Sequence, residues 1–83
     1  MLMRKSRSNR QFDKIFGEYV RKTREARGWS QTELAGRMDN NFQNISRIER
    51  GEITPTIFWC YKLAHVFEMD VLRMIEEVGF QIK

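Results

Sequence analysis

Two residues in this 83-residue sequence invite a reading as catalysts, Cys60 and His65, the only cysteine and the only histidine. A thiol beside an imidazole is a nucleophile with its base. These two stand five apart, whereas a helix brings together side chains three or four apart. Nor can they supply the four Cys or His ligands that a structural zinc site takes. Cys60 therefore reads as a small core residue and His65 as a surface or half-buried one. With no nucleophile, base and metal set, the expectation is no enzyme and no cofactor. A different chemistry is offered by Gln43, Asn44, Ser46, Arg47 and Arg50, a polar run around Ile45 and Ile48. Gln and Asn carboxamides bind adenine in a bidentate way, and a guanidinium binds guanine. That chemistry is recognition, and it requires a rigid element to aim it.

The charge pattern agrees. The net charge is +4. Residues 1–28 hold nine Lys or Arg against three Asp or Glu, and residues 29–83 hold six against eight. A basic first third on a small chain points to an anionic partner. No apolar run approaches the roughly 20 residues that span a bilayer. The opening MLMRKSRSNR lacks the apolar stretch of a secretory signal. The expectation is a cytoplasmic protein with no membrane partner.

The elements that would position the polar run can be read from periodicity and caps. Residues 1–12 are polar and basic and read as a flexible arm, either a tail or a segment that follows the phosphate backbone or enters a minor groove; the tail is favoured. The domain proper is expected over 13–79 and a C-terminal tail over 80–83. Ile15, Phe16, Tyr19, Val20 and Thr23 recur at three and four, giving a helix over about 13–27 that Gly28 stops. Ser30-Gln31-Thr32-Glu33 is a capping box opening a short helix over about 31–38. Asp39-Asn40-Asn41 breaks it, and Asn41 is a good N-cap for a third helix over Asn41–Arg50, stopped by Gly51. Thr56 is a plausible cap for a fourth, whose core stripe reads Ile57, Cys60, Leu63, Ala64 and Phe67. Asp70 can cap a fifth carrying Val71, Met74, Ile75 and Val78. Phe80 to Lys83 alternates, as a short strand or a loose tail would.

Two short helices joined by a three-residue turn, the second polar on its outer side, form the helix-turn-helix pattern. An α-helix fits the major groove of B-DNA while the preceding helix buttresses it across the backbone. Ile45 and Ile48 supply the apolar seam on which such a helix docks. The stretch Trp29 to Gly51, with SQTELA at 30–35 and ISRIERG at 45–51, resembles the lambda-repressor-like family, also called Cro/CI or XRE. REARG at 24–28, Pro55-Thr56 and Lys62-Leu63-Ala64 extend the resemblance over about 15–78. It implies an all-α, five-helix domain that binds double-stranded DNA, commonly as a homodimer on palindromic sites. Position by position, it makes Gln31 a phosphate contact that acts with the amide end of its helix. It places Asn41, Phe42, Gln43 and Asn44 at base edges, makes Arg47 a base or phosphate contact, and joins Arg24 to Glu49 in a structural salt bridge.

The sequence departs from that pattern in places. The turn is Asp39-Asn40-Asn41 where the family often has Gly-Val-Ser, so Asn40 replaces a buried apolar residue and looser packing is expected. Phe42 stands where a polar residue is usual, and either touches thymine methyls or packs on the domain's own surface. Phe58, Trp59 and Tyr61 fall partly off the core stripe. They read either as packing against the arm or tail or, as favoured here, with Leu72 and Phe80 as a dimer or partner surface. The function expected is a sequence-specific transcriptional regulator, a repressor acting as a homodimer. The alternative is an antitoxin that binds both DNA and a partner protein.

Overall fold

The computed structural model describes the backbone of residues 7–79 and the side chains of residues 10–79. Residues 1–6 and 80–83, and with them Phe80 and the expected tail, lie outside the described residues. Five helices follow one another: α1 (Arg7–Ala26), α2 (Gln31–Arg37), α3 (Phe42–Glu49), α4 (Ile57–Val66) and α5 (Val71–Gly79). No strand occurs among the described residues.

The helix starts follow local side-chain chemistry. Ser30 Oγ accepts from the Glu33 amide at 3.0 Å while Glu33 Oε1 accepts from the Ser30 amide at 2.9 Å, which closes the capping box. Asn41 Oδ1 accepts from the Asn44 amide at 2.8 Å, and Thr56 Oγ1 from the Trp59 amide at 3.0 Å. Each bond satisfies an amide that a helix start leaves without a partner.

Helix α1 begins at Arg7, so the arm expected over 1–12 is corrected: from Arg7 on, that segment is helix. The reason is one turn of aromatic packing. The Phe12 ring stacks on Phe16 at 5.5 Å and lies against the core. This extends the amphipathic face beyond the point at which the charged sequence conceals it.

Helix α4 brings a second correction. Ile57, expected on the core stripe, is 62% exposed, and Trp59, expected at a dimer or partner surface, is 8% exposed. The Trp59 ring meets Phe16 edge-on at 6.4 Å. The first turn of α4 thus buries the larger aromatic against α1 and leaves Ile57 at the rim. The Trp59 Nε1 donor has no partner among the described residues. Cys60 is buried, and burial pushes its thiol pKa up, as suits an unreactive core residue.

What fixes α3 in space is its last turn. A Cβ on Gly17 would stand 2.4 Å from the Ile48 carbonyl oxygen and 2.7 Å from that of Glu49. Only a glycine lets α1 come so close. Just beyond the helix, Gly51 adopts φ +73°, and a Cβ there would meet the Lys14 backbone at 3.2 Å. Asp13 is buried and accepts from Thr54 Oγ1 at 2.7 Å. Two turns beyond Gly17, Arg24 Nε donates to Glu49 Oε2 at 2.7 Å and its Nη2 to Glu49 Oε1 at 3.0 Å, a bidentate pair of buried side chains. Arg24 Nη1 donates to the Trp29 carbonyl at 2.8 Å, tying the start of α2 to the same guanidinium.

Two measurements check this lock. Gly17→Ala is expected to cost at least about 2 kcal/mol in urea unfolding, because backbone must move. Gly36→Ala, in α2 with open space around it, is expected to stabilise by about 0.5–1 kcal/mol; equal effects at the two glycines contradict the close approach. Arg24→Ala strands a buried carboxylate and is expected to cost about 3–5 kcal/mol. Adding Glu49→Leu should recover most of that loss, and a double variant as unstable as the single one argues against the pair.

Candidate nucleic-acid interface

Helix α3 docks through two side chains. Ile45 and Ile48 are fully buried, and each contributes about 1.5–3 kcal/mol of burial. They leave the other faces of α3 free of structural duty except at its end, where Glu49 is engaged by Arg24. Gln43 is exposed and has no hydrogen bond to another side chain among the described residues. Phe42 is 49% exposed at the first position of the helix, open on its outer side. Arg47 is exposed, its Nε 3.7 Å from Glu52 Oε1.

The turn before α3 is bonded more tightly than its sequence suggests. Asp39 takes a left-handed φ of 53°, which aspartate tolerates better than most residues. The Asn40 amide donates to the Ala35 carbonyl at 2.8 Å. Its side chain Oδ1 accepts from the Asn41 amide at 2.8 Å and lies 3.4 Å from Asn44 Nδ2. Half-buried, Asn40 replaces apolar packing with hydrogen bonds, so the looser turn expected there is not found.

Gln31, at the first turn of α2, donates from Nε2 to Glu49 Oε1 at 2.9 Å. One carboxylate therefore gathers a guanidinium from α1 and a carboxamide from α2, and holds both helices to the end of α3. Hydrogen bonding to Glu49 outweighs desolvation and raises the Arg24 pKa, so its guanidinium is charged at every working pH. The second Nε2 hydrogen of Gln31 remains for another acceptor.

The expected dimer or partner residues differ in exposure. Trp59 is core. Phe58 projects from α4 at 69% exposure and Leu72 from α5 at 71%. Phe80 lies outside the described residues.

Three residues that matter here escape a sequence reading. Gly17 sets the approach of α1; its only signal is an isolated glycine inside a helical pattern. Asn40 fastens the turn. Glu52 accepts from Arg50 Nε at 2.7 Å and stands beside Arg47. The hydrogen bond from Arg50 holds its carboxyl below the usual range, so it is a fixed anion next to α3. No group of three or more His, Cys, Asp or Glu among the described residues is placed to hold a metal. No helix there is long and apolar enough to cross a membrane.

Comparison with known proteins places this geometry. No curated protein matches the sequence. The clp gene regulator ClgR from Corynebacterium glutamicum superposes with a TM-score of 0.76 at 19% identity, over 87% of this chain and 94% of that one. The restriction-modification controller protein C.AhdI from Aeromonas hydrophila gives 0.73 at 25% identity, over 78% and 94%. An HTH_3 family transcriptional regulator from Vibrio cholerae gives 0.75 at 25%, over 83% of this chain and 39% of that one. The family profile described as helix-turn-helix, HTH_3, matches residues 20–72, from the middle of α1 to the start of α5. All-α with five helices among its described residues, the protein belongs to the HTH_3 helix-turn-helix family of DNA-binding transcription regulators.

Proposed function

We propose that the protein reads a specific double-stranded DNA site by laying α3 in the major groove, binds as a homodimer, and represses transcription by occupying that site. The observation that carries the reading is the division of labour on α3. Two buried isoleucines and one ion-paired glutamate hold the helix, and Phe42, Gln43, Asn44 and Arg47 are left on its other faces. In this reading Gln43 and Asn44 bond base edges with their carboxamides, and Asn41 holds the first turn of α3 open to the groove. Arg47 exchanges its loose approach to Glu52 for a guanine or a phosphate. Phe42 touches thymine methyls; its half-exposed ring favours that role over packing on the domain. Gln31 keeps one hydrogen on Glu49 and gives the other to a backbone phosphate, so it positions the domain without reading sequence.

The fifth helix supports the dimer in this reading. Leu72 is exposed and Ile75 half-buried one turn on, an apolar strip that a second copy of α5 would cover. Two domains paired in this way would meet half-sites about one helical turn apart, roughly 34 Å.

Selection of bound duplexes from random sequence tests the reading of bases. Gln43→Ala and Asn44→Ala are each expected to relax preference at one position by about 1–3 kcal/mol. Gln31→Ala should weaken all sequences alike, and wild-type affinity should fall steeply with salt. Undiminished, equally selective binding by all three variants overturns the assignment. Leu72→Glu is expected to halve the mass in light scattering and to weaken binding to a two-half-site duplex more than to a single half-site. An unchanged mass rules out the α5 interface.

A further inference from the structure

A second surface of the domain takes no residue from α3. Between the end of α2 and the outer face of α4 lies a cleft of about 310 Å3. Its apolar lining is Met38, Tyr61 and Val66, and its polar lining is Arg37, Lys62 and His65, with Asp39 the one acid. Along α4 the cleft continues onto an exposed stripe. Phe58, Tyr61, Lys62 and His65 stand at i, i+3, i+4 and i+7, which is one helix face. Tyr61 is 56% exposed.

The cations on this face, like Arg27 just past α1, are held among the described residues by aromatic rings and not by carboxylates. Arg21, Arg24, Arg47 and Arg50 all stand within ion-pair distance of carboxylates. Among the described residues, Arg37 and Lys62 lie instead over aromatic rings: the Arg37 guanidinium is 4.1 Å from the Trp29 ring centre and Lys62 Nζ is 5.7 Å from that of Phe58. Such contacts hold a cation in place and leave its charge unspent. Two cations in no ion pair among the described residues, an imidazole and an apolar trough, against the single carboxylate of Asp39, are complementary to one kind of surface. That surface is an acidic amphipathic helix, with apolar anchors entering the trough and carboxylates reaching its rim.

We infer that the α2–α4 face docks an acidic, amphipathic helical segment of another protein. It does so independently of DNA reading by α3. The trough is too open to bury most of a small molecule, as ligand pockets do. The bare aromatic stripe beside it extends the contact along a helix axis instead.

The test uses the full 83-residue chain and a synthetic probe. The probe is a helical peptide of about 14 residues, Glu- and Ala-rich, with a Phe and a Leu one turn apart. Titration followed by NMR is expected to give saturable shifts at Tyr61, Lys62 and Val66 and none at Gln43 or Asn44. The same peptide with Lys for Glu should not bind. Tyr61→Ala and Lys62→Glu should each weaken the acidic peptide about tenfold, with melting temperature and duplex DNA affinity unchanged. The inference is overturned by equal affinity for the acidic and basic peptides, or by a footprint away from α4. It is likewise overturned if neither variant weakens binding, if single-stranded DNA displaces the peptide from Tyr61, or if Tyr61→Glu lowers the mass of the free protein, which would mean that a second copy covers the face. Because α3 is read out separately with duplex DNA, failure here and failure of the DNA reading give different results.

Discussion

The approach of α1 to the last turn of α3, at a position where no side chain fits, sets the geometry of everything around it. Gly17 brings the α1 backbone against the carbonyl oxygens of Ile48 and Glu49. At that separation the Arg24 guanidinium meets the Glu49 carboxylate in bidentate fashion, and Asp13 and Gly51 fit the chain that leaves α3. Such a contact is satisfied at one crossing geometry and at no other. The angle at which α3 leaves the body of the domain, and so the direction of Gln43 and Asn44, is decided at the end of the helix opposite to those residues.

Glu49 extends that control to α2. By bonding Gln31 as well as Arg24, it ties a proposed phosphate contact to the seat of the proposed base-reading helix. A shift of α3 relative to α1 would therefore carry Gln31 with it. In the proposed complex, register on the backbone and register on the bases would become one rigid quantity.

What could be read from the residues, and what could not, divides by distance along the chain. The caps at Ser30, Asn41 and Thr56 each join side chain and amide three residues apart, so the sequence contains both partners and the element starts were legible. The seam of Ile45 and Ile48 was legible for the same reason. The reading failed where a residue's fate depends on another helix. Trp59 is drawn inward by Phe16, 43 positions away in the chain, and Ile57 is displaced to the rim. The start of α1 was hidden because Phe12 needs the core to justify a helix through charged residues. Asn40 looked like a poor substitute for an apolar side chain, since its two acceptor contacts become visible only once the turn is built. In the proposed site, the identities of the side chains were readable, but the Glu52 carboxylate that competes for Arg47 was not.

The two tryptophans occupy unlike surroundings, and this gives the domain a built-in optical record of its own state. Trp59 is enclosed beside Phe16, its indole N–H donating to nothing among the described residues, an environment that favours emission toward the blue. Trp29 is half-buried between the Phe67 ring and the Arg37 guanidinium, where solvent and a nearby positive charge act on its excited state. Light absorbed by the same chain thus returns from two depths, one sensing whether the core is closed and the other whether the rim of α2 is occupied. No label need be attached to tell the two apart.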